Sequence, residues 1–482
     1  MDDLKENVPL VVDLDGTLTR TDLLVETLFL FLAARPLGIP RLLAWLGGGR
    51  ARFKERLAGA TELDVAALPF DPDCLALIGE ARRAGRRVIL ASASDRRLVD
   101  AVAAHLGLFD EAFGSSDGRN LKGARKARFL AERFGEGGFD YAGDGPADFP
   151  VWARARRVLT AGAGPGLRKA VDRRFAGARH LGAARNGVRA RLGALARVLR
   201  PHQWAKNLLV FLPVIAAHRF GADAMLPALA AFAAFCLTAS SAYVLNDLLD
   251  LPHDRAHPRK KDRPFAAGAL SPRHGLALVP ALVAAAALLS ILALPLAFLA
   301  VLGTYYLATL LYSLVLKRLL FIDVLTLAGL YTLRAAAGGA ATGLALSPWL
   351  LIFCMFLFLA LAVVKRQAEL MVALAMNRDR QPGRTYTTED LPIVGAMGIA
   401  SGFISVLVFA LYVNSPAVAE LYGAPMLLWA VCPLLLLWIG RMLILAHRGD
   451  MHDDPLVFAF TDRFSWAVGA LVVAVLAAGT TA

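Results

Sequence analysis

Cysteine is scarce and scattered: Cys74, Cys236, Cys354 and Cys432 are the only four in 482 residues. Their spacing excludes a disulfide framework and a thiolate metal site, and three of them lie in apolar runs, where they read as small buried hydrophobes. Acid is nearly missing from one stretch. Between Trp152 and Lys206 stand fourteen Arg or Lys against a single acid, Asp172. A segment so basic, just ahead of the first long apolar run, suits an anionic membrane surface. Nucleic-acid binding is the rival reading of that charge, but no reading helix or stacking platform accompanies it, so no nucleic-acid partner is expected. The N-terminus, MDDLKENVPL, has neither a basic n-region nor a long apolar core. It does not read as a signal peptide, and the first domain is expected to stay on the side where it is made. Nor is there a pair of broken apolar segments with inverted-repeat character, which argues against a transporter.

What is present is unevenly spread. Hydrophobic residues make up 57% of the chain, yet residues 1–200 have the texture of a soluble protein. From about 207 onward, apolar runs recur, each long enough to cross a bilayer core of about 30 Å. We expect nine spans, at 207–221, 225–246, 275–293, 296–315, 320–341, 348–368, 393–413, 424–445 and 464–481. Basic residues crowd the ends of the even-numbered spans and the loops after them, whereas the ends of the odd-numbered spans and their loops carry one, Arg219. The positive-inside rule then places the basic loops and the N-terminal domain in the cytoplasm, and the C-terminus outside.

The chain's most polar stretch follows the second apolar run. Asn246, Asp247, Asp250 and Asp254 fall within nine residues, followed by Arg255, Arg259, Lys260, Lys261 and Arg263. Such groups are costly at the mouth of a membrane helix. If the helix continues, Asn246, Asp250 and Asp254 share one face at i, i+4 and i+8. Hard oxygen ligands on one face suit Mg²⁺ together with a substrate phosphate, and the cations beyond them suit outer phosphates. The bland alternative is a solvated charged loop. Other polar residues also stand near span ends: Arg200, Lys206, Tyr312, Lys317, Asp323, Lys365, Arg366, Glu369, Arg378, Arg384, Asp453, Asp454 and Asp462. Arg334 lies inside a span beside glycines, and a buried arginine there calls for an anionic partner.

In the soluble part, Val8–Leu14 is an apolar run ending in Asp13-Leu14-Asp15-Gly16-Thr17. It reads as a buried parallel strand presenting two carboxylates at its C-terminal end, where ligands of open α/β sheets bind. A second strand, Arg87–Ala91, ends in Ser92-Ala93-Ser94. A helix with two lysines spans Lys122 to Phe134. A third strand, Phe139–Ala142, ends in Gly143-Asp144-Gly145-Pro146-Ala147-Asp148. In this order the set resembles the haloacid dehalogenase superfamily over residues of about 8–165. The resemblance implies an α/β, Rossmann-like phosphatase with a helical cap at about 20–85 and one Mg²⁺. It makes Asp13 the nucleophile and Asp15 the acid and base, and has Ser92 hold a phosphoryl oxygen. Lys126, with Lys122 as the alternative, screens charge. Asp144 and Asp148 hold the metal beside Asp13, and Asp15 belongs to the same acidic group. The cap's apolar residues form either a small core of their own or a surface that touches the membrane.

Residues 166–199 read as a basic helical connector. From 200 to 482 the chain resembles the UbiA prenyltransferase superfamily, whose mark is the NDxxDxxxD pattern at Asn246 to Asp254, and which implies an all-α domain of nine transmembrane helices with its own Mg²⁺. Asn246, Asp250 and Asp254 would hold that metal, with Asp247 in support. Aromatic prenyltransferases of the superfamily carry a second DxxxD after the sixth span, where this chain has Lys365-Arg366-Gln367-Ala368-Glu369. With RPHQWAKN and LLYSLVLKRLLFIDV, this resembles the branch that joins phosphoribosyl pyrophosphate to a polyprenyl phosphate lipid. Under that resemblance Lys365, Arg366, Arg378 and Arg384 would hold the 5-phosphate of the donor. Lys317, Lys206 and Arg200 would hold the lipid phosphate, and Arg255, Lys261, Arg263 and Tyr312 would add to the substrate site. A homo-oligomer is compatible with the sequence, and an aromatic prenyltransferase is the alternative activity.

Overall fold

The computed structural model describes residues 8–116, 118–182, 188–258, 260–379, 385–451 and 454–481. Arg259, Arg384 and Asp453 lie outside the described residues. The chain divides into two compact units, Met1–Leu199 with Tyr243–Val279, and Arg200–Ala242 with Pro280–Ala482.

The first unit is built on a six-stranded parallel sheet. Its strands are β1 (Leu10–Val12), β2 (Val88–Asp95), β3 (Glu111–Ser115), β4 (Asp140–Gly143), β5 (Arg157–Ala161) and β6 (Arg179–Leu181), in the order β3-β2-β1-β4-β5-β6. β1 is apolar on both faces and fully buried, as a central parallel strand requires. It pairs with β2 on one side and β4 on the other. That is where the strand order reverses and where such sheets open a crevice beyond their carboxyl ends. The three strands expected from the sequence are β1, β2 and β4. One expectation needs correction. Residues 166–199 are not a continuous connector, because helix Pro165–Asp172 and strand β6 extend the sheet, and only Val188–Leu199 remains as a connecting helix. The Arg-rich composition hides β6, whose His180 is fixed between the Thr160 hydroxyl (2.7 Å) and the Asp172 carboxylate (2.8 Å).

Between β1 and β2 lie the helices Leu23–Ala34, Ile39–Leu46, Arg50–Gly59 and Pro72–Arg83. Asp22 caps the first, accepting from the Val25 amide at 2.9 Å. The first two meet at 120°, because Pro36 cannot continue the preceding helix. The reading of a small core in the cap is met by Phe31, Leu42, Phe53 and Leu57, while Leu37, Ile39, Leu43 and Leu46 are exposed.

Among the described residues, eight helices have the length and hydropathy to cross a membrane. They are Ala222–Leu249, Pro272–Ala293, Leu296–Leu314, Ile322–Thr342, Pro348–Ala375, Thr388–Val413, Pro425–Arg448 and Arg463–Thr480. They correspond to eight of the nine expected spans. The segment 207–221 is the exception. It forms a 3₁₀ run, Pro201–Phe211, and a five-residue helix, Leu212–Ala216. At 1.5 Å per residue such a helix covers only about 8 Å. Lys206 and Asn207 are buried in this segment with polar partners, and His218 at φ 54° ends it. Gly338 lets the run pack closely, since a Cβ there would stand 2.0 Å from the Val210 carbonyl oxygen.

Candidate active site

In the first unit, the carboxyl ends of β1, β2 and β4 bring the expected groups together. Ligand oxygens of Asp13, Asp144 and Asp148 all lie within 4.8 Å of one another. Gly16, at φ 81°, permits the approach of the Asp144 carboxylate, whose Oδ2 would lie 2.1 Å from any Cβ there. Lys126 reaches Asp13 at 2.9 Å from its buried place on the helix Ala124–Phe134, whereas Lys122 is exposed. The Asp15 carboxylate stands apart from the three-acid group. Its Oδ2 accepts from the hydroxyls of Ser94 (2.6 Å) and Ser92 (3.2 Å), and its Oδ1 from the Leu23 amide (2.8 Å). Asp15 is thus held between side chains of β2 and the start of the first cap helix, and its carboxylate is not in the group formed by Asp13, Asp144 and Asp148.

Burial pushes the Asp13 carboxyl up to about 6; Lys126 works against this, and the charges of Asp148 and Asp15 add to it. Asp144 is pushed well above the usual carboxylate range by burial and by the charges of Asp148 and Asp13. Three crowded acids with a single lysine form a donor set that fits a hard divalent cation. Burial opposes the charge of Lys126, but Asp13 and Asp148 outweigh it and hold its pKa above the ordinary value. Two contributors escaped the sequence reading. Tyr141 accepts from Lys126 (2.9 Å) and donates to Asp148 (2.9 Å). Lys54, from the cap, donates to the Ala93 carbonyl (2.7 Å) and the Asn120 side chain (3.2 Å). Neither belongs to a local motif.

The acidic stretch keeps the expected helical phase: the Asp250 amide donates to the Asn246 carbonyl (2.9 Å) and the Asp254 amide to that of Asp250 (2.8 Å). Its carboxylates are not gathered like those of the first group. Asp247 and Asp254 are buried, and both accept from Arg263 Nη1, at 3.0 and 2.7 Å. Arg263 was expected on a substrate phosphate, and here it is the counter-ion of the acids. Its guanidinium lies between two hard oxygen donors of the kind that suit Mg²⁺. Arg255 is also taken, paired with Glu26. Lys261 is exposed, while Asn246 and Asp250 are half-buried.

In the second unit, Asp454 is the hub of a buried group. It accepts from Lys206 (2.7 Å), Lys365 (3.1 Å) and the Tyr331 hydroxyl (3.5 Å). Arg334 lies beside it, donating to Asn207 (3.0 Å), the Leu330 carbonyl (2.7 Å) and the Tyr305 hydroxyl (2.7 Å), with its guanidinium 5.2 Å from the Tyr331 ring centre. Lys206 and Lys365, expected on two different phosphates, thus share one anion. Arg366 departs from expectation: it is 1% exposed and paired with Asp323 (2.6 Å) and Glu369. Arg378 is exposed, Tyr312 and Lys317 are half-buried, and Arg200 adopts φ 52° at the start of the 3₁₀ run. Replacing Asp454 by Asn should leave the buried Lys206 and the half-buried Lys365 without their common anion. Loss of one partner from a buried pair costs about 3–5 kcal/mol, to be read as a lower unfolding temperature of the detergent-solubilised protein.

A family model described as the UbiA prenyltransferase family matches residues 207–477, more than half of the chain. The chain belongs to the UbiA prenyltransferase family. A model for haloacid dehalogenase-like hydrolases matches residues 10–153 of this UbiA chain, which therefore carries such a domain at its N-terminal end. It is 38% identical over 477 residues to an uncharacterised protein, y4nM, of Sinorhizobium fredii, across 98% of this chain and 91% of that one. That alignment runs through both parts. The chain is 35% identical over 269 residues to the nodulation protein NoeC of Azorhizobium caulinodans, across 55% of this chain and 86% of NoeC. It is 38% identical over 217 residues to the decaprenyl-phosphate phosphoribosyltransferase of Corynebacterium glutamicum, across 43% of this chain and 64% of that enzyme. Family and apolar helices together make this UbiA protein a multi-pass membrane enzyme.

Proposed function

We propose that the membrane part transfers 5-phosphoribose from phosphoribosyl pyrophosphate to a polyprenyl phosphate, releasing pyrophosphate, and that the N-terminal domain removes the 5-phosphate of the product. The observation that carries the transfer is the pairing of Lys206 and Lys365 on Asp454. Lys365 stands in the sequence where an aromatic prenyltransferase of the family carries its second set of acids, and Lys206 joins it on the same carboxylate. A donor with a diphosphate and a separate 5-phosphate calls for one cation-holding acidic site and one cationic pocket. The likeness to the Corynebacterium phosphoribosyltransferase supports the same reading.

Asn246, Asp250 and Asp254, with Asp247 in support, would hold Mg²⁺, which stabilises a leaving diphosphate. The lipid phosphate is anionic at neutral pH and attacks the ribose C1 without a general base. Lys206 and Lys365 bind phosphate in exchange for Asp454. In the N-terminal domain, Asp13 attacks the 5-phosphate, and the ribose oxygen leaves with a proton from Asp15. Water then gives its proton to Asp15 and cleaves the acyl phosphate, freeing Asp13 and inorganic phosphate. Lys126 screens Asp13, and Asp13, Asp144 and Asp148 would hold a divalent cation that offsets the approach of carboxylate to phosphate. The loop charges favour the cytoplasmic face for both sites.

Purified full-length protein with Mg²⁺ should release pyrophosphate from phosphoribosyl pyrophosphate only when polyprenyl phosphate is present. Release from a prenyl diphosphate with an aromatic acceptor instead would overturn the assignment in favour of an aromatic prenyltransferase.

A further inference from the structure

The segment that follows the acidic stretch belongs to the same compact unit as the parallel sheet, and it is fastened to the first helix of the cap. Arg255 and Glu26 form a two-pronged ion pair, with Nη1 to Oε2 at 3.0 Å. Both side chains are almost inaccessible, at 7% and 1% exposure. Thr21 adds a hydroxyl bond to Glu26 at 2.5 Å. Gly268, at φ 67°, lies so close to Arg20 that a Cβ would stand 2.6 Å from the Arg20 Cβ. At the far end of the segment, Arg273 pairs with Asp22. Nothing in the helix Leu23–Ala34 requires these arginines for its own hydrogen bonding, since Asp22 already caps it through Oδ1.

The next residue gives the arrangement its chemical meaning. The Leu23 amide, one peptide after Asp22, donates to Asp15 Oδ1 at 2.8 Å. The other oxygen of Asp15 is held by Ser92 and Ser94. Asp15 is thus fixed on one side by the sheet and on the other by a helix start that Arg273 restrains. Burial raises the Asp22 carboxyl above its ordinary pKa, the Asp15 charge adds to this, and Arg273 opposes both. Asp22 therefore carries its charge most readily while Arg273 is in place.

We propose that Arg273 is a positioning residue of the phosphatase site, acting through Asp22 and the Leu23 amide on the Asp15 carboxylate, with the Arg255–Glu26 pair holding the same helix further along. Hydrolysis then depends on a segment that the sequence assigns to the transferase, so phosphate removal proceeds at full rate only when that segment is seated. This inference rests on the phosphatase reading of the N-terminal domain. Arg273 is 60% exposed, so its replacement does not open a cavity in the core.

The test uses the full chain in detergent with p-nitrophenyl phosphate and Mg²⁺. Arg273→Ala should lower kcat by about 10–100-fold, the usual effect of removing a partner one shell from a reacting group. KM should stay within about twofold, and Arg273→Lys, which keeps the charge on Asp22, should recover most of the rate. Asp22→Asn should mimic Arg273→Ala, and the double variant should be no slower than either single one, because both act through one contact. An unchanged kcat in Arg273→Ala, additive losses in the double variant, or a loss confined to KM overturns the proposal. A wild-type chain that hydrolyses no phosphate ester overturns the phosphatase reading and this inference together. A wild type that hydrolyses while Arg273→Ala is unaffected overturns this inference alone.

Discussion

Asp250→Ala is expected to abolish the transfer of radiolabelled phosphoribose to membrane lipid, with a loss of at least about 100-fold. Outer partners of metal ligands are worth 10–100-fold, and Asp250 is proposed as a ligand itself. Its place in the stretch explains the choice. Asp247 and Asp254 have Arg263 as a shared counter-ion, so altering either also frees a buried guanidinium and mixes a structural effect with a catalytic one. Asp250 is half-buried and stands at the junction of the helices Ala222–Leu249 and Leu251–Ala256, its amide bonded to the Asn246 carbonyl and its own carbonyl to the Asp254 amide. Alanine there keeps the backbone and removes one hard oxygen donor. Hydrolysis of p-nitrophenyl phosphate by the same preparation serves as the folding control. Transfer at the wild-type rate would remove the acidic stretch from the mechanism, and the reading of the membrane part with it.

The legibility of this chain follows the range of the interactions involved. While Asp148 came from the resemblance to the haloacid dehalogenase superfamily, Asp13 and Asp144 could be picked out because each follows a short apolar strand at a glycine turn, a pattern written in nearby residues. Eight apolar helices were visible for the same reason. In the segment 207–221 a hydropathy window counts leucines and valines but not the buried partners of Lys206 and Asn207, so it does not show that the chain there is a 3₁₀ run continued by a short helix. β6 was missed because pairing with β5, and not apolar content, makes Arg179–Leu181 a strand. Tyr141 and Lys54 were illegible beside the site, since their partners lie 7 to 66 positions away and only the fold brings them close. Arg366 shows the converse: a cation at a family landmark that the fold commits to Asp323, 43 residues earlier.

Asp13→Asn should make cells or purified membranes accumulate the phosphorylated form of the lipid product while pyrophosphate release continues. The substitution keeps the shape of the side chain and its reach toward Lys126, yet an amide does not form the acyl phosphate. Loss of a nucleophile should lower phosphate release by about 10³-fold or more, far beyond the effect expected for Arg273→Ala. The two variants are therefore ordered: one removes the reacting atom, the other loosens the helix start that orients Asp15. Thin-layer separation of lipids labelled from phosphoribosyl pyrophosphate distinguishes the outcomes directly. Wild-type protein should yield the dephosphorylated lipid and Asp13→Asn the phosphorylated one. If both give the same species, the N-terminal domain acts on another phosphate ester. The Arg255–Glu26 and Arg273–Asp22 contacts would then couple two reactions that do not share a substrate.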